Sequence, residues 1–202
     1  MLEQEPTAER TDEELAREAR AGSLRSFEEL ALRYKRRLFV YLRPRLASDQ
    51  DAEDMVQETF LKLYRNIGSY DPAYRFSTWL YTAANRMAIS SYRKKRIAVV
   101  ALRPEDAGGL ADPKAGPAGE TGSTELWAAA RTLGGGQFRA LWLRYGEDMD
   151  IEEIAAALGK SRLAVRLLLH RARTNLLKKA GPAPARTMAA AKAAAVGETR
   201  FG

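Results

Sequence analysis

Twenty residues in the middle of the chain, RPEDAGGLADPKAGPAGETG at 103–122, set the first limit on any fold. Gly, Pro, Ala and Asp dominate them, and such a segment buries too little apolar surface to offset the entropy of ordering its backbone. It reads as a flexible linker that divides the 202 residues into two stretches. With 46% hydrophobic and 29% charged residues the chain has the balance of a globular protein, not a disordered one.

Before the linker, Phe27, Leu30, Ala31, Tyr34, Leu38, Tyr41 and Leu42 recur at helical spacing, with Arg33, Lys35 and Arg36 on other faces. A second run, Ala52, Met55, Val56, Phe60, Leu63, Tyr64 and Ile67, follows the start signal Ser48-Asp49 and stops before Gly68. Residues 69–75 read as a loop. A third helix begins near Ser77, turns Leu80, Ala83, Ala84 and Met87 toward a core, and ends in the basic run Arg93-Lys94-Lys95-Arg96. A short helix at 13–21 precedes all three. Beyond the linker, 126–133, 138–145, 151–158 and 161–179 give four more helical segments. No useful length alternates with the period of two that a half-buried strand needs. The expected class is therefore all-α, with two small helical domains at 12–97 and 125–179. The linker is placed at 98–124, and 180–202 is expected to be a poorly ordered, basic, Ala/Pro-rich tail.

Several functions are set aside at once. The absence of cysteine removes disulfides, thiolate metal sites and thiol nucleophiles. One histidine, His170, in a basic stretch offers little for imidazole catalysis or a metal site. The expectation is a protein that is not an enzyme and needs no metal or cofactor. The opening MLEQEPTAERTDEELA lacks the apolar run of a signal peptide, and no stretch of about 20 apolar residues occurs, so a cytoplasmic protein without a membrane span is expected. A net charge of +7 favours an anionic partner, although such a charge is also common in proteins that bind none.

Three stretches carry candidate function. In IEEIAAALGKSRLAVRLLLHRAR an eight-residue helix is followed by Gly159, suited to a positive φ, and by Ser161, suited to capping a longer helix. This is the layout of a helix-turn-helix. Lys160, Ser161, Arg162, Arg166, His170, Arg171 and Arg173 are its candidate DNA contacts. No acidic residue lies between Glu153 and Glu198, and nine Lys or Arg do, so the field there is strongly positive. The alternative is an αα-hairpin with a solvated basic face.

Asp54, Gln57 and Glu58, spaced i, i+3 and i+4, project together from the second helix. Periodicity alone makes this an ordinary solvated face that also favours the helix N-terminus; a positively charged protein partner is the other reading. Between 70 and 96, Tyr70, Tyr74, Phe76, Trp79, Tyr81 and Tyr92 interleave with Arg75, Arg86, Arg93 and Lys94. Aromatic faces can stack unpaired bases while cations hold the backbone, although Trp79 and Phe76 are also expected in a core.

Together these stretches resemble the two conserved domains of an extracytoplasmic-function member of the sigma-70 family of RNA polymerase sigma factors. DAEDMVQETFLKLYRN is similar to the family's polymerase-binding helix, FSTWLYTAANRMAISSYRKKR to its promoter-melting and −10-reading helix, and ALWLRYGEDMDIEEIAAALGKSRLAVRLLLHRAR to its −35-reading domain. The resemblance implies a subunit that directs core RNA polymerase to promoter DNA and melts it without nucleotide hydrolysis. Asp54, Gln57 and Glu58 would dock on the polymerase clamp. Tyr70, Tyr74, Arg75, Phe76, Asn85, Arg86, Arg93 and Lys94 would take the −10 element. An anti-sigma factor is a further implied partner.

The chain departs from the family at three places. Seven residues after Trp79, where the family commonly has asparagine, stands Arg86, with Asn85 one place earlier. In the recognition helix a usually polar series is replaced by Ala164-Val165-Arg166-Leu167-Leu168-Leu169. Gly134-Gly135-Gly136 stands where proline and arginine are usual, and implies a looser helix entry. Two rivals therefore stay open: a stand-alone helix-turn-helix regulator of duplex DNA, and a degenerate sigma-like interaction protein that does not read promoters.

Overall fold

The computed structural model describes residues 10–102 and 123–180, with side chains described for 10–91 and 126–179. Eight α-helices account for most of them: α1 (Asp12–Arg20), α2 (Leu24–Leu42), α3 (Asp49–Arg65), α4 (Phe76–Leu102), α5 (Ser123–Arg131), α6 (Gly135–Leu141), α7 (Ile151–Leu158) and α8 (Arg162–Ala180). No strand occurs among the described residues, as the periodicity predicts.

Local chemistry sets each start. Thr11 and Glu14 form a reciprocal capping box at α1, Ser23 caps α2, and Ser48 caps α3 by accepting from the Asp51 amide at 3.0 Å. Helix α4 gets help from another element: the Phe76 amide donates to Glu13 of α1 at 3.3 Å. A long-range carboxylate thus takes a donor that the local sequence leaves open.

Helix α2 is the pillar of the first module, packed by α1 on one side and α3 on another, with α4 completing the bundle. Its Leu30, Leu38 and Leu42 are buried in one core with Leu15, Leu63 and Leu80. In the second module Trp127 meets Trp142 edge-on at 4.9 Å and Phe138 at 6.4 Å. Val165, Leu169, Ala172 and Leu176 of α8 close this core.

Two boundaries differ from the sequence reading. Helix α4 runs on to Leu102 and α5 begins at Ser123, so 98–102 and 123–124 are helical and not linker; residues 103–122 and the tail beyond Ala180 lie outside the described residues. The segment expected as one helix at 138–145 starts earlier, with Gly135 and Gly136 inside the first turn of α6, and ends in a π-helical turn, Trp142–Gly146. A Cβ on Gly136 would sit 3.5 Å from Leu168, and one on Gly146 would sit 3.3 Å from the Trp142 ring. The chain then reverses at Asp148, whose φ of 57° is one that aspartate tolerates better than most residues.

Candidate nucleic-acid interface

The helix-turn-helix forms as its turn chemistry requires. Asp150 accepts from the Glu152 and Glu153 amides at 2.7 and 2.8 Å, and Glu153 returns a bond from the Asp150 amide. Gly159 takes φ 62° and ψ 42°, and the Lys160 amide closes back on the Ala155 carbonyl at 3.0 Å. Ser161 then accepts from the Ala164 amide at 3.2 Å and opens α8.

All seven residues that the sequence nominates there are exposed: Lys160, Ser161, Arg162, Arg166, His170, Arg171 and Arg173. Arg162 lies 3.6 Å from Glu152, and Arg173 donates to the Tyr145 hydroxyl at 2.8 Å. The apolar run 167–169 separates into three environments. Leu169 is in the core, Leu168 packs on α6 at Gly136, and Leu167 faces outward.

On α3, Asp54, Gln57 and Glu58 are all exposed, opposite the buried Ala52, Met55, Val56, Thr59 and Leu63. Asp54 accepts from Gln50 at 2.9 Å.

The −10 candidates divide. Tyr74, 64% exposed, and the exposed Arg75 and Arg86 face outward. Tyr70, Phe76 and Asn85 are instead buried. Tyr70 donates to the Tyr74 carbonyl at 2.7 Å and sits against Phe76 and Trp79 at ring separations of 6.0 and 5.4 Å. Burial, with Glu13 nearby, pushes its hydroxyl up to about 12. Phe76 is sealed against Tyr34, while Trp79, also expected in the core, is only partly buried. Asn85 is buried where its side-chain oxygen accepts from Arg45 at 3.1 Å and from Arg139. The side chains of Arg93 and Lys94 lie outside the described residues.

A second polar cluster, absent from the sequence reading, joins the modules along α4 and α7. Glu147 follows the π-helical turn and is buried, held by a two-pronged Arg37 fork and by the Tyr81 hydroxyl at 2.6 Å. Burial pushes this carboxyl above its ordinary range, although Arg37 and Tyr81 both favour its anion. For Arg37, burial works against the charge, but Glu147, Tyr81 and Tyr34 together outweigh it and hold the guanidinium up. Beside this pair, Thr78 donates to Glu153 at 3.1 Å, and Arg75 reaches the Asp148 carbonyl at 3.1 Å and Glu153 at 3.6 Å. At the other end Arg45 and Arg139, from different modules, converge on Asn85. Burial first, and Arg139 second, bring Arg45 down to about 10.

Among the described residues no group of acidic or histidine side chains is placed to hold a metal, and no helix is long and apolar enough to cross a membrane. The geometry offers recognition: an exposed polar face on α3, an exposed aromatic-cationic edge at the start of α4, and a cationic helix-turn-helix.

Comparison with known proteins agrees with this layout. The family model described as Sigma-70 region 2 matches residues 30–97 and that described as Sigma-70, region 4 matches 123–176, together more than half the chain. The chain is 32% identical to RNA polymerase sigma factor CarQ of Myxococcus xanthus over 75% of this chain and 87% of that one. It is 30% identical to RNA polymerase sigma factor CnrH of Cupriavidus metallidurans over 83% and 93%. Against ECF RNA polymerase sigma factor BldN of Streptomyces coelicolor identity is 28%, over 79% of this chain and only 62% of the relative. The solved structure of CnrH with the cytosolic domain of CnrY superposes with a TM-score of 0.58 at 26% identity, covering 85% of this chain and 99% of that one. Sigma factor RpoE of Bartonella quintana, solved with the anti-sigma factor NepR, shares the fold at a TM-score of 0.63 and 22% identity, over 76% and 94%.

Proposed function

The chain belongs to the extracytoplasmic-function group of the sigma-70 family, and on that premise we propose that it is a dissociable subunit that brings core RNA polymerase to promoters and opens them. One observation carries the reading: a single chain presents both the exposed Asp54, Gln57 and Glu58 face and an exposed cationic helix-turn-helix. A stand-alone DNA-binding regulator does not require the first.

In this reading the α3 face docks on a positively charged surface of the polymerase. Lys160, Arg162, Arg166, Arg171 and Arg173 hold duplex DNA upstream, with His170 and the Ser161-capped first turn of α8 facing the groove. Downstream, Tyr74 stacks an unpaired base while Arg75 and Arg86 hold the strand. Tyr70 and Phe76 are the packed floor that fixes the backbone under Tyr74. Affinity for the unpaired strand drives melting, so the protein makes and breaks no bond and needs no cofactor or metal. It acts where polymerase and chromosome are, in the cytoplasm. An anti-sigma protein is the proposed regulatory partner; the relative CnrH is itself solved with a partner domain, that of CnrY.

The docking assignment is tested by the affinity of purified core polymerase for the wild type and for the Asp54→Ala/Gln57→Ala/Glu58→Ala variant. A loss of about tenfold or more is expected, as for removal of a central patch at an interface. Unchanged affinity contradicts it.

A further inference from the structure

Three leucines of α8 are exposed, Leu163, Leu167 and, near its end, Leu177, and the first two lie in the opening two turns of the helix. Leu163 is 66% exposed and Leu167 48% exposed, one helical turn apart, whereas Val165, Leu169, Ala172 and Leu176 of the same helix are buried. Their exposure is confined to the face that also carries Arg162, Arg166 and His170. Helix α8 has no acidic residue. An apolar pair set among cations, in the first two turns of a recognition helix, suits a partner that is anionic overall yet offers small apolar groups at its surface. In the major groove of duplex DNA the thymine C5 methyl is that group, flanked by base edges and phosphates.

We propose that Leu163 and Leu167 read thymine methyl groups in the upstream promoter element, a reading that rests on the function proposed above. The spacing makes it specific. Residues four apart rise by about 6 Å along a helix, close to two base-pair steps of about 3.4 Å each. Leu163 and Leu167 therefore meet methyl groups on base pairs two steps apart, while Arg162 and Arg166 meet phosphates or guanine edges beside them. At these two positions the chain recognises A·T pairs by contact with methyl groups.

The test uses the full-length protein bound to core polymerase. Upstream duplexes are selected from a random library, and the selected element is remade with deoxyuridine for thymine, one position at a time. Deoxyuridine keeps the base pair and deletes only the methyl. At two positions, two steps apart, the change is expected to weaken binding about fourfold, the worth of one methyl group transferred from water. Leu163→Ala is expected to abolish sensitivity at one of these positions and Leu167→Ala at the other. If every deoxyuridine duplex binds as tightly as its thymine parent, or the double leucine variant keeps full thymine sensitivity, the assignment is overturned. The latter result, combined with escape of the double variant from an inhibitory protein, gives this face to a protein partner instead. If the holoenzyme is recruited to no duplex at all, the family-based function falls and this inference falls with it.

Discussion

Glu147 is the residue on which the described structure turns most sharply. Its carboxylate has left water, and its two-pronged partner Arg37 stands 110 positions away in sequence. Removing one member of a buried ion pair leaves the other charged and unpaired, which costs about 3–5 kcal/mol. Arg37→Ala is therefore expected to lower unfolding stability by about 3 kcal/mol in chemical denaturation. Arg10→Ala, which breaks two well-solvated pairs with Glu18 and Glu29, is expected to cost under about 1 kcal/mol. Equal costs would mean that the Glu147 pair is not buried in solution. Nothing local in the sequence singles out Glu147, because its role depends on a partner brought by the fold. For Tyr70 and Phe76 the sequence is open for the converse reason: alternating aromatics and cations suit both a base-stacking platform and a core, and packing places both rings in the core.

At the scale of elements, what was legible is what short-range chemistry decides. The turn of the helix-turn-helix needs a positive φ at Gly159 and a cap at Ser161, two residues apart, and the structure adds a capping box at Asp150. Asp150→Ala removes a capping box and is expected to cost about 1 kcal/mol, read as a drop in the midpoint of thermal unfolding. Along α8 the leucines are expected to respond differently. Leu169→Ala opens a cavity in the core and should cost about 2–5 kcal/mol, whereas Leu167→Ala, on the outer face, should leave stability within about 0.5 kcal/mol of the wild type. Both would be measured in the same denaturant series. The π-helical turn after α6 escaped the sequence reading because it answers to a distant demand: the chain must lay Gly146 on the Trp142 ring and turn Glu147 inward.

For the whole molecule, helical periodicity on either side of the Gly/Pro-rich segment foretold two helical modules, but not that they would share a polar seam. Along that seam Arg75, Thr78 and Asn85 of the first module already hold partners in the second. Nucleic acid that reaches Arg75 has to replace Glu153 and the Asp148 carbonyl. An Arg37→Glu change sets two carboxylates against each other in the seam and is expected to separate the modules, seen as a larger radius of gyration in solution scattering. Arg37→Glu/Glu147→Arg is expected to restore compactness. No expansion in the single variant would mean that the seam does not hold the modules together. The account as a whole is tested most directly by in-vitro transcription of the chromosome from which the chain comes, using purified core polymerase with and without the protein and mapping RNA 5′ ends. It predicts discrete start sites that appear only with the protein and vanish with the Asp54→Ala/Gln57→Ala/Glu58→Ala variant; identical start sites in all three reactions would contradict it.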